Sequence, residues 1–200
     1  MTSYNYKYRQ GILPISWEDF HGLCKALALA VSRFKPEIIL PVGRGGYYPG
    51  TLISHLLQVE PYPVRLSRRL RDEVVWDSPN WLVEPPPVVT GKRVLVVDEI
   101  SSSGETLRMA LDKLAQLGTQ KVRCAVLYAH TWGVDIPDYI GIITDALVLN
   151  PWDREVLRDG QYIYHPEYTT ALAEQGLEKE NGPLISTRFF TLAKEPSPGE

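Results

Sequence analysis

The sequence predicts an α/β protein: a single doubly wound domain with a central, mainly parallel sheet of about five strands and a C-terminal hood. Three observations lead to this prediction. Strand and helix patterns alternate from residue 16 to residue 150. The strand segments are continuous apolar runs, which is typical of strands that are buried on both faces. Two of them end in small-residue segments, 43–46 and 98–104, and ligands of this fold class bind beyond the carboxyl ends of the strands.

Composition limits the classes of function that the chain can carry. It has 200 residues, of which 44% are hydrophobic, so one domain with a sizeable core is expected. The formal net charge of −3 argues against a protein-wide basic field, so no nucleic acid partner is expected. The sequence has no long apolar run, so we expect no membrane association and a cytoplasmic location. Cys24 and Cys124 lie in apolar segments and are expected to be buried small hydrophobes.

The first half of the chain shows two helix patterns and two strand patterns. Ser16 is the predicted N-cap of a helix whose apolar residues recur at helical spacing to about Arg33. A short apolar run over 37–42 predicts a buried strand, and a second helix is expected to start near Tyr48. Residues 63–66 are a candidate for another strand.

The second half begins with a long segment over residues 67–89, which is expected to be a mobile loop that includes a hairpin. It carries three arginines, two tryptophans and a triple proline, and loops of this length in compact domains are usually functional. The elements predicted after it are a strand over 93–98, a helix from about Gly104 to Gly118, strands over 122–128 and 146–149, and a helix over 166–178.

The chain is expected to divide into two overlapping parts. Residues 1–155 form the α/β domain, which includes the N-terminal helix and the mobile loop. Residues 146–200 form the hood and a tail, and the last residues, KEPSPGE, are expected to be disordered because they are polar and rich in proline and glycine.

Two adjacent carboxylates, Asp98 and Glu99, close the predicted strand over 93–98. Burying them is unfavourable unless a partner is present, and sugar hydroxyls or a hydrated Mg²⁺ suit hard carboxylate oxygens. The serines, glycine and threonine that follow lead directly into a helix, whose N-terminal N–H groups bind anions. This segment can therefore hold one sugar and one phosphate a few ångströms apart.

The turn Gly43–Gly46 has the sequence Gly-Arg-Gly-Gly and follows another predicted strand. Glycines let backbone N–H groups approach an anion closely, and Arg44 adds a cation that can bind two oxygens at once. The turn is therefore a second candidate anion site.

The stretch 94–107, VLVVDEISSSGETL, resembles the donor-binding signature of the type I phosphoribosyltransferases. The resemblance extends over about residues 14–155 and is to the hypoxanthine and xanthine–guanine enzymes of that family. It implies that Asp98 and Glu99 contact the ribose hydroxyls of phosphoribosyl pyrophosphate and bind Mg²⁺ largely through that donor and water. The residues that it assigns to the 5-phosphate loop are Ser101, Ser102, Ser103, Gly104, Glu105 and Thr106.

The resemblance also assigns pyrophosphate binding, often through an unusual peptide geometry, to the turn after the first strand. The residues expected to bind pyrophosphate are Gly43, Arg44, Gly45, Arg68 and Arg69. The two last arginines lie in the long loop, which in the family closes over the active site and excludes water. A solvated charge run is the alternative interpretation of each loop arginine.

Asn-Pro-Trp-Asp at 150–153 is similar to the base-covering hood of the purine enzymes, so Trp152 is expected to stack on a base and Asp153 to bind its edge. The purine enzymes usually carry a lysine shortly after the strand predicted over 122–128, and here His130 takes that place. It can donate to a carbonyl oxygen or accept from an amine, depending on its tautomer. A surface histidine at a strand end is the alternative.

A second difference from the family lies in the phosphate loop. Ser102 occupies the position where the 6-oxopurine enzymes usually carry an aspartate near purine N7, and a serine hydroxyl is a poor acid or base near neutral pH. The expected catalytic set is Arg44, Asp98, Glu99 and Ser102.

The leading hypothesis is a Mg²⁺-dependent transferase that joins the phosphoribosyl group to a nucleobase, with a 6-oxopurine as the first choice. It implies phosphoribosyl pyrophosphate and a nucleobase as partners and a homodimer or homotetramer as the assembly. A non-catalytic regulator that senses a nucleotide or the donor on the same fold is the main alternative. A protein that binds another phosphorylated metabolite is the third.

Overall fold

The structure is a computed structural model that describes residues 9–70 and 73–174. Its helices are α1 (Trp17–Ser32), α2 (Tyr47–Leu57), α3 (Glu105–Gln116) and α4 (Pro166–Glu174). Its strands are β1 (Ile12–Pro14), β2 (Ile38–Pro41), β3 (Arg65–Ser67), β4 (Arg69–Leu70), β5 (Glu73–Val74), β6 (Asn80–Val83), β7 (Arg93–Ser101), β8 (Lys121–Ala129), β9 (Tyr139–Ile143), β10 (Leu147–Leu149), β11 (Glu155–Arg158) and β12 (Gln161–Tyr164). The predicted tail and the end of the helix predicted over 166–178 lie outside the described residues.

Within the described residues, a parallel sheet of four strands has the order β2-β7-β8-β9. Pro61 and Val64 add isolated parallel bridges to Ile39 and Val42 at its β2 edge, beside the strand predicted over 63–66. Helices α1 and α2 pack against one face of the sheet and α3 against the other. The predicted α/β fold with a central parallel sheet is therefore confirmed.

The apolar run of β7 is explained by burial on both faces. Leu95 and Val97 pack with residues of α1 and α2, whereas Val94 and Val96 pack with residues of α3, and all four are fully buried. Successive side chains of a strand point to opposite faces, so a strand covered by helices on both sides has no position left for a polar residue.

The first helix begins where the sequence predicts. The Ser16 hydroxyl accepts from the backbone N–H of Asp19 at 3.1 Å, and the Asp19 carboxylate accepts from the backbone N–H of Ser16 at 3.0 Å. This reciprocal capping satisfies two backbone donors that the first turn of a helix leaves open. Cys24 and Cys124 are both buried and both free, as predicted.

The hood differs from the prediction in its strands. Strand β10, predicted to continue the alternating pattern of the parallel sheet, pairs in parallel with β1, a strand that the sequence analysis did not predict. The physical reason is a separate apolar cluster, in which Ile12, Leu147 and Leu149 pack with residues of α4. The hood therefore includes a segment from the N-terminal end of the chain.

Strand β9 was also missed. It pairs with β8 at the edge of the central sheet, and only Gly141 among its five residues is fully buried. A short strand with a central glycine gives a weak apolar signal in the sequence.

The segment over residues 67–89 contains regular structure. Strand β3 pairs antiparallel with β6, and β4 pairs antiparallel with β5, which agrees with the predicted hairpin. A turn of 3-10 helix over Pro87–Val89 then leads to β7. No helix within residues 9–70 or 73–174 has the length and apolar character needed to cross a membrane.

Candidate active site

Two carboxylates lie near the carboxyl end of β7, at the centre of the candidate site. Asp98 and Glu99 are both partly buried, and the Asp98 carboxylate accepts from the backbone N–H of Glu99 at 2.7 Å. Burial raises the pKa of Asp98 to about 7. Burial also raises the pKa of Glu99 to about 8, and the neighbouring negative charges of Asp153 and Asp98 add to this rise. Cations and hydroxyl donors are the partners that stabilise such a charged pair.

The turn after β2 lies directly against these carboxylates. A Cβ atom added to Gly45 would overlap the Glu99 carboxylate, and one added to Gly46 would lie 2.9 Å from Cα of Asp98. The peptide bond between Gly43 and Arg44 is cis, an unusual peptide geometry of the kind that the resemblance implies. The fold therefore brings together the two segments to which the sequence analysis assigned pyrophosphate and ribose.

The predicted phosphate loop, residues 101–106, leads from β7 into α3. Within it, Gly104 is the N-cap of α3 and has a φ of 74°, in the left-handed region that favours glycine. Ser103 is exposed, and Ser102, Glu105 and Thr106 are partly exposed. The first-turn N–H groups of α3 and its positive dipole end thus stand beside accessible hydroxyls, an arrangement suited to one phosphate group.

Ser101 has a different environment from the rest of this loop. Its hydroxyl is buried and donates to the Gly133 carbonyl at 2.7 Å, while its carbonyl accepts from the His130 backbone N–H at 3.0 Å. The side chain of Ile136 fills the space that a Cβ atom at Gly104 would need. The segment 130–136, which the sequence analysis did not identify as a support, holds the phosphate loop from behind, and the Ser101 hydroxyl is used in that contact.

His130 is buried rather than exposed, so the surface alternative is wrong. Its ring is 1% exposed, its Nδ1 lies 2.6 Å from the Thr144 carbonyl, and it stacks on Trp132 at 4.8 Å. Burial, together with the positive charge of Arg9, lowers the pKa of His130 to about 4. The imidazole is therefore neutral near pH 7, with Nδ1–H donating to Thr144. Base binding by His130 stays a prediction.

The predicted base-side residues occupy the hood. Trp152 stacks on Tyr48 at 4.6 Å and meets Phe20 edge-on at 5.1 Å, so its indole joins the hood to the first two helices. Asp153 accepts from the Tyr168 hydroxyl at 2.6 Å, and burial raises its pKa. Base contacts by Trp152 and Asp153 stay predictions.

The three predicted arginines have different surroundings. Arg44 is exposed beside the glycine turn, and Arg68 is partly exposed. Arg69 donates through both terminal nitrogens to the Glu167 carboxylate, at 2.9 and 2.5 Å, and so reaches α4 rather than the turn after β2. Pyrophosphate binding by the loop arginines stays a prediction.

Sequence reasoning missed two groups of residues. Asn150 immediately precedes the hood stretch Pro-Trp-Asp, and its amide donates to the Glu99 carboxylate. Its position at the end of a predicted strand was the signal that could have identified it. Glu167 and Tyr168 carry no such signal, because the groups they contact lie far away in the chain.

The carboxylate pair also bears on metal binding. Among residues 9–70 and 73–174, no three His, Cys, Asp or Glu side chains are grouped in a way that holds a metal ion. Protein-bound Mg²⁺ often uses only one or two carboxylates and takes its other ligands from phosphates and water. Asp98 and Glu99 therefore fit a magnesium ion that also binds a phosphorylated ligand.

Two curated relatives are similar to parts of this chain. Hypoxanthine-guanine phosphoribosyltransferase of Schizosaccharomyces pombe is 27% identical over 124 residues, 51% of this chain and 59% of that protein. Transcriptional regulator GfcR of Thermoplasma acidophilum is 31% identical over 122 residues, 58% of this chain and 54% of that protein. The chain thus spans little more than half the length of these relatives.

Solved structures share the fold. A purine phosphoribosyltransferase from Pyrococcus horikoshii is similar with a TM-score of 0.65 and 24% identity, over 75% of this chain and 99% of that one. A hypothetical protein from Neisseria gonorrhoeae with bound ppGpp is similar with a TM-score of 0.62 and 26% identity, over 84% of this chain and 98% of that one.

A sequence model of one family, described as the phosphoribosyl transferase domain, matches residues 16–155. That range contains the four strands of the central sheet, the glycine turn, the carboxylate pair and the phosphate loop. Since the match extends over more than half of the chain, the protein belongs to the phosphoribosyl transferase domain family.

Proposed function

We propose that this protein transfers the 5-phosphoribosyl group of phosphoribosyl pyrophosphate to a nucleobase and releases pyrophosphate. The observation that carries the proposal is the contact between the glycine turn and the carboxylate pair, Gly45 against Glu99. A pyrophosphate site and a ribose site must adjoin in this reaction, because the bond between ribose C1 and the pyrophosphate oxygen breaks there.

Each part of the donor has a matching group in the site. The 5-phosphate binds the N-terminus of α3 and the hydroxyls of Ser102, Ser103 and Thr106. The ribose hydroxyls donate to Asp98 and Glu99, and Arg44 with the backbone of the glycine turn binds pyrophosphate. When bound, Mg²⁺ supplies positive charge for the departing pyrophosphate.

Catalysis in this proposal is mostly positional and electrostatic. A ring nitrogen of the base forms a bond to ribose C1 while the bond from C1 to the pyrophosphate oxygen breaks, and the proton of that nitrogen passes to solvent. A serine hydroxyl is a poor base near neutral pH, so Ser102 contributes by holding the phosphate rather than by moving this proton.

A 6-oxopurine is the proposed acceptor. The similarity to a hypoxanthine-guanine enzyme supports a purine, and Asp153 of the hood lies near enough to Glu99 for its negative charge to raise the Glu99 pKa. A carboxylate edge accepts from the N–H groups of a purine. His130 is neutral and buried, and its contact with the base stays a prediction.

The deciding experiment is a turnover assay with phosphoribosyl pyrophosphate, Mg²⁺ and a panel of purines, pyrimidines and orotate. We expect nucleotide and pyrophosphate to form in equal amounts with hypoxanthine, guanine or xanthine. The double variant Asp98→Asn, Glu99→Gln is the negative control and should weaken donor binding by about 100-fold or more. Unchanged donor affinity in that variant would refute the ribose assignment.

A second candidate function is a regulator that binds a nucleotide or the donor without turnover. Similarity to a transcriptional regulator from Thermoplasma acidophilum favours it, as does similarity to a Neisseria gonorrhoeae protein with bound ppGpp. Tight donor binding together with no product from any base would support this function over the first. Failure to bind the donor at millimolar Mg²⁺ would point to another phosphorylated metabolite.

The resemblance also implies a homodimer or homotetramer, and the lack of a long apolar run in the sequence led us to expect a cytoplasmic location; both stay predictions. Size-exclusion chromatography with light scattering measures the first, and imaging of the tagged protein in its host measures the second.

A further inference from the structure

Asn150 links the hood to the ribose carboxylates. Asn150 follows directly after β10 and is 1% exposed. Its side-chain nitrogen donates to Oε1 of Glu99. The two residues are separated by 51 positions in the chain. This contact joins the segment that carries Trp152 and Asp153 to the last third of β7.

The contact fixes the direction of the Glu99 carboxylate. Oε1 is held by the Asn150 amide, and Oε2 is the atom that faces the backbone of Gly45 in the glycine turn. A carboxylate held at one oxygen by a buried donor loses its freedom to rotate about its last side-chain bond. Its remaining lone pairs then keep one fixed direction.

Only the nitrogen of the Asn150 amide has a hydrogen-bond partner among the described residues. Its oxygen, Oδ1, is buried and has no partner among the described residues, although buried polar atoms are nearly always hydrogen-bonded. The side chain thus satisfies Glu99 while its own acceptor stays unsatisfied. An apolar residue of the same volume would avoid this unfavourable burial but would leave Oε1 of Glu99 without its donor, so what Asn150 contributes here is its hold on Glu99.

We propose that Asn150 is a positioning residue for ribose recognition: its amide holds the Glu99 carboxylate in the orientation that accepts from a ribose hydroxyl. This inference rests on the ribose assignment in the proposed function, but it requires neither a base nor turnover. In this proposal Asn150 itself touches no substrate, because it is only 1% exposed.

The test measures binding of ribose 5-phosphate and of inorganic phosphate, by calorimetry, to the wild type and to Asn150→Leu. Both ligands occupy the phosphate loop, but only ribose 5-phosphate contacts Glu99. We expect ribose 5-phosphate to bind about tenfold more weakly to Asn150→Leu, while the affinity for inorganic phosphate stays within about twofold. Ser54→Ala removes another buried side-chain hydrogen bond, to the Thr51 carbonyl, and should change neither affinity.

A double-mutant cycle with Glu99→Gln identifies the residue through which Asn150 acts. In the Glu99→Gln background, Asn150→Leu should have no further effect on ribose 5-phosphate. If Asn150→Leu does not fold, Asn150→Ser serves in its place, because its shorter hydroxyl cannot reach Glu99.

The outcomes separate the two ideas. Equal ribose 5-phosphate affinity in wild type and Asn150→Leu, or equal losses for both ligands, overturns the positioning role and leaves the proposed function intact. Selective loss for ribose 5-phosphate supports the positioning role even if the turnover assay yields no nucleotide. No wild-type binding of ribose 5-phosphate overturns the positioning role, while the turnover assay still decides the transferase function.

Discussion

Arg69 and Glu167 form a two-pronged ion pair across 98 positions of the chain, with N–O distances of 2.9 and 2.5 Å. Both side chains are only about one-fifth exposed, at 20% and 19%. The pair fastens the β4–β5 hairpin to α4, so the loop that was expected to close over the site is tied to the hood. Two paired hydrogen bonds of this kind define a geometry more strictly than one.

Breaking this pair should release the hairpin. We expect Glu167→Gln to speed amide hydrogen exchange in β4 and β5 and to destabilise the protein by about 1 kcal/mol, because the pair is partly exposed. If Arg69 binds pyrophosphate, its release should also lower the KM for the donor. Glu84→Gln, which removes the surface pair between Glu84 and Lys113, is the matched control. Faster exchange without any change in donor KM would contradict the pyrophosphate role of Arg69.

The glycine turn should not tolerate a side chain at its third position. In Gly45→Ala the new methyl group would overlap the Glu99 carboxylate, so we expect donor affinity to fall by about tenfold or more. Gly22→Ala is the control, because a Cβ atom there meets nothing within 4 Å and lies in α1, where alanine is favoured. Calorimetry with phosphoribosyl pyrophosphate makes the comparison. Normal donor binding by Gly45→Ala would show that the two segments do not form one site.

The buried imidazole of His130 should make stability depend on pH. Its pKa is about 4 when folded, below the ordinary value of 6.5, so the unfolded chain takes up a proton first as the pH falls. The contribution of neutral His130 to the free energy of unfolding is therefore complete above about pH 6.5 and is lost towards pH 4. Between pH 7 and pH 5 the free energy of unfolding should fall by roughly 2 kcal/mol.

The charged groups that act on this ring are Arg9, which lowers its pKa, and Asp145, which raises it. Urea unfolding at pH 7 and pH 5 measures the fall in the free energy of unfolding. This fall should be smaller in His130→Gln than in the wild type. His55→Gln removes an exposed histidine of α2 and should keep the wild-type loss. Identical losses in wild type and His130→Gln would place the titrating group elsewhere.

Loss of the Tyr168 hydroxyl should weaken binding of the base but not binding of the donor. Tyr168→Phe removes the 2.6 Å hydrogen bond from the Tyr168 hydroxyl to the Asp153 carboxylate, which should lower the free energy of unfolding by about 1 kcal/mol. We expect the KM for the base to rise several-fold, while the KM for the donor stays the same. Tyr162→Phe, in an exposed position of β12, is the control. A rise in donor KM alone would remove Asp153 from the base side of the site.

The sequence by itself determined the fold class and the succession of strand, loop and helix that carries the predicted phosphate site. Both depend on residues that are neighbours in the chain: an apolar run buried on both faces in β7, then two carboxylates, then small residues that enter α3. A strand, a loop and a helix start are local structures, so their pattern is written in consecutive residues. The burial of the two cysteines followed from the same periodicity.

Only the tertiary structure decided the pairing of β10 with β1, the contact of Asn150 with Glu99 and the ion pair of Arg69 with Glu167. It also decided that His130 is buried. Each of these depends on groups that meet from distant parts of the chain, and neither periodicity nor capping residues specify such partners. Burial then changed the chemistry of these groups, because a carboxylate or an imidazole takes its protonation and its hydrogen bonds from what surrounds it.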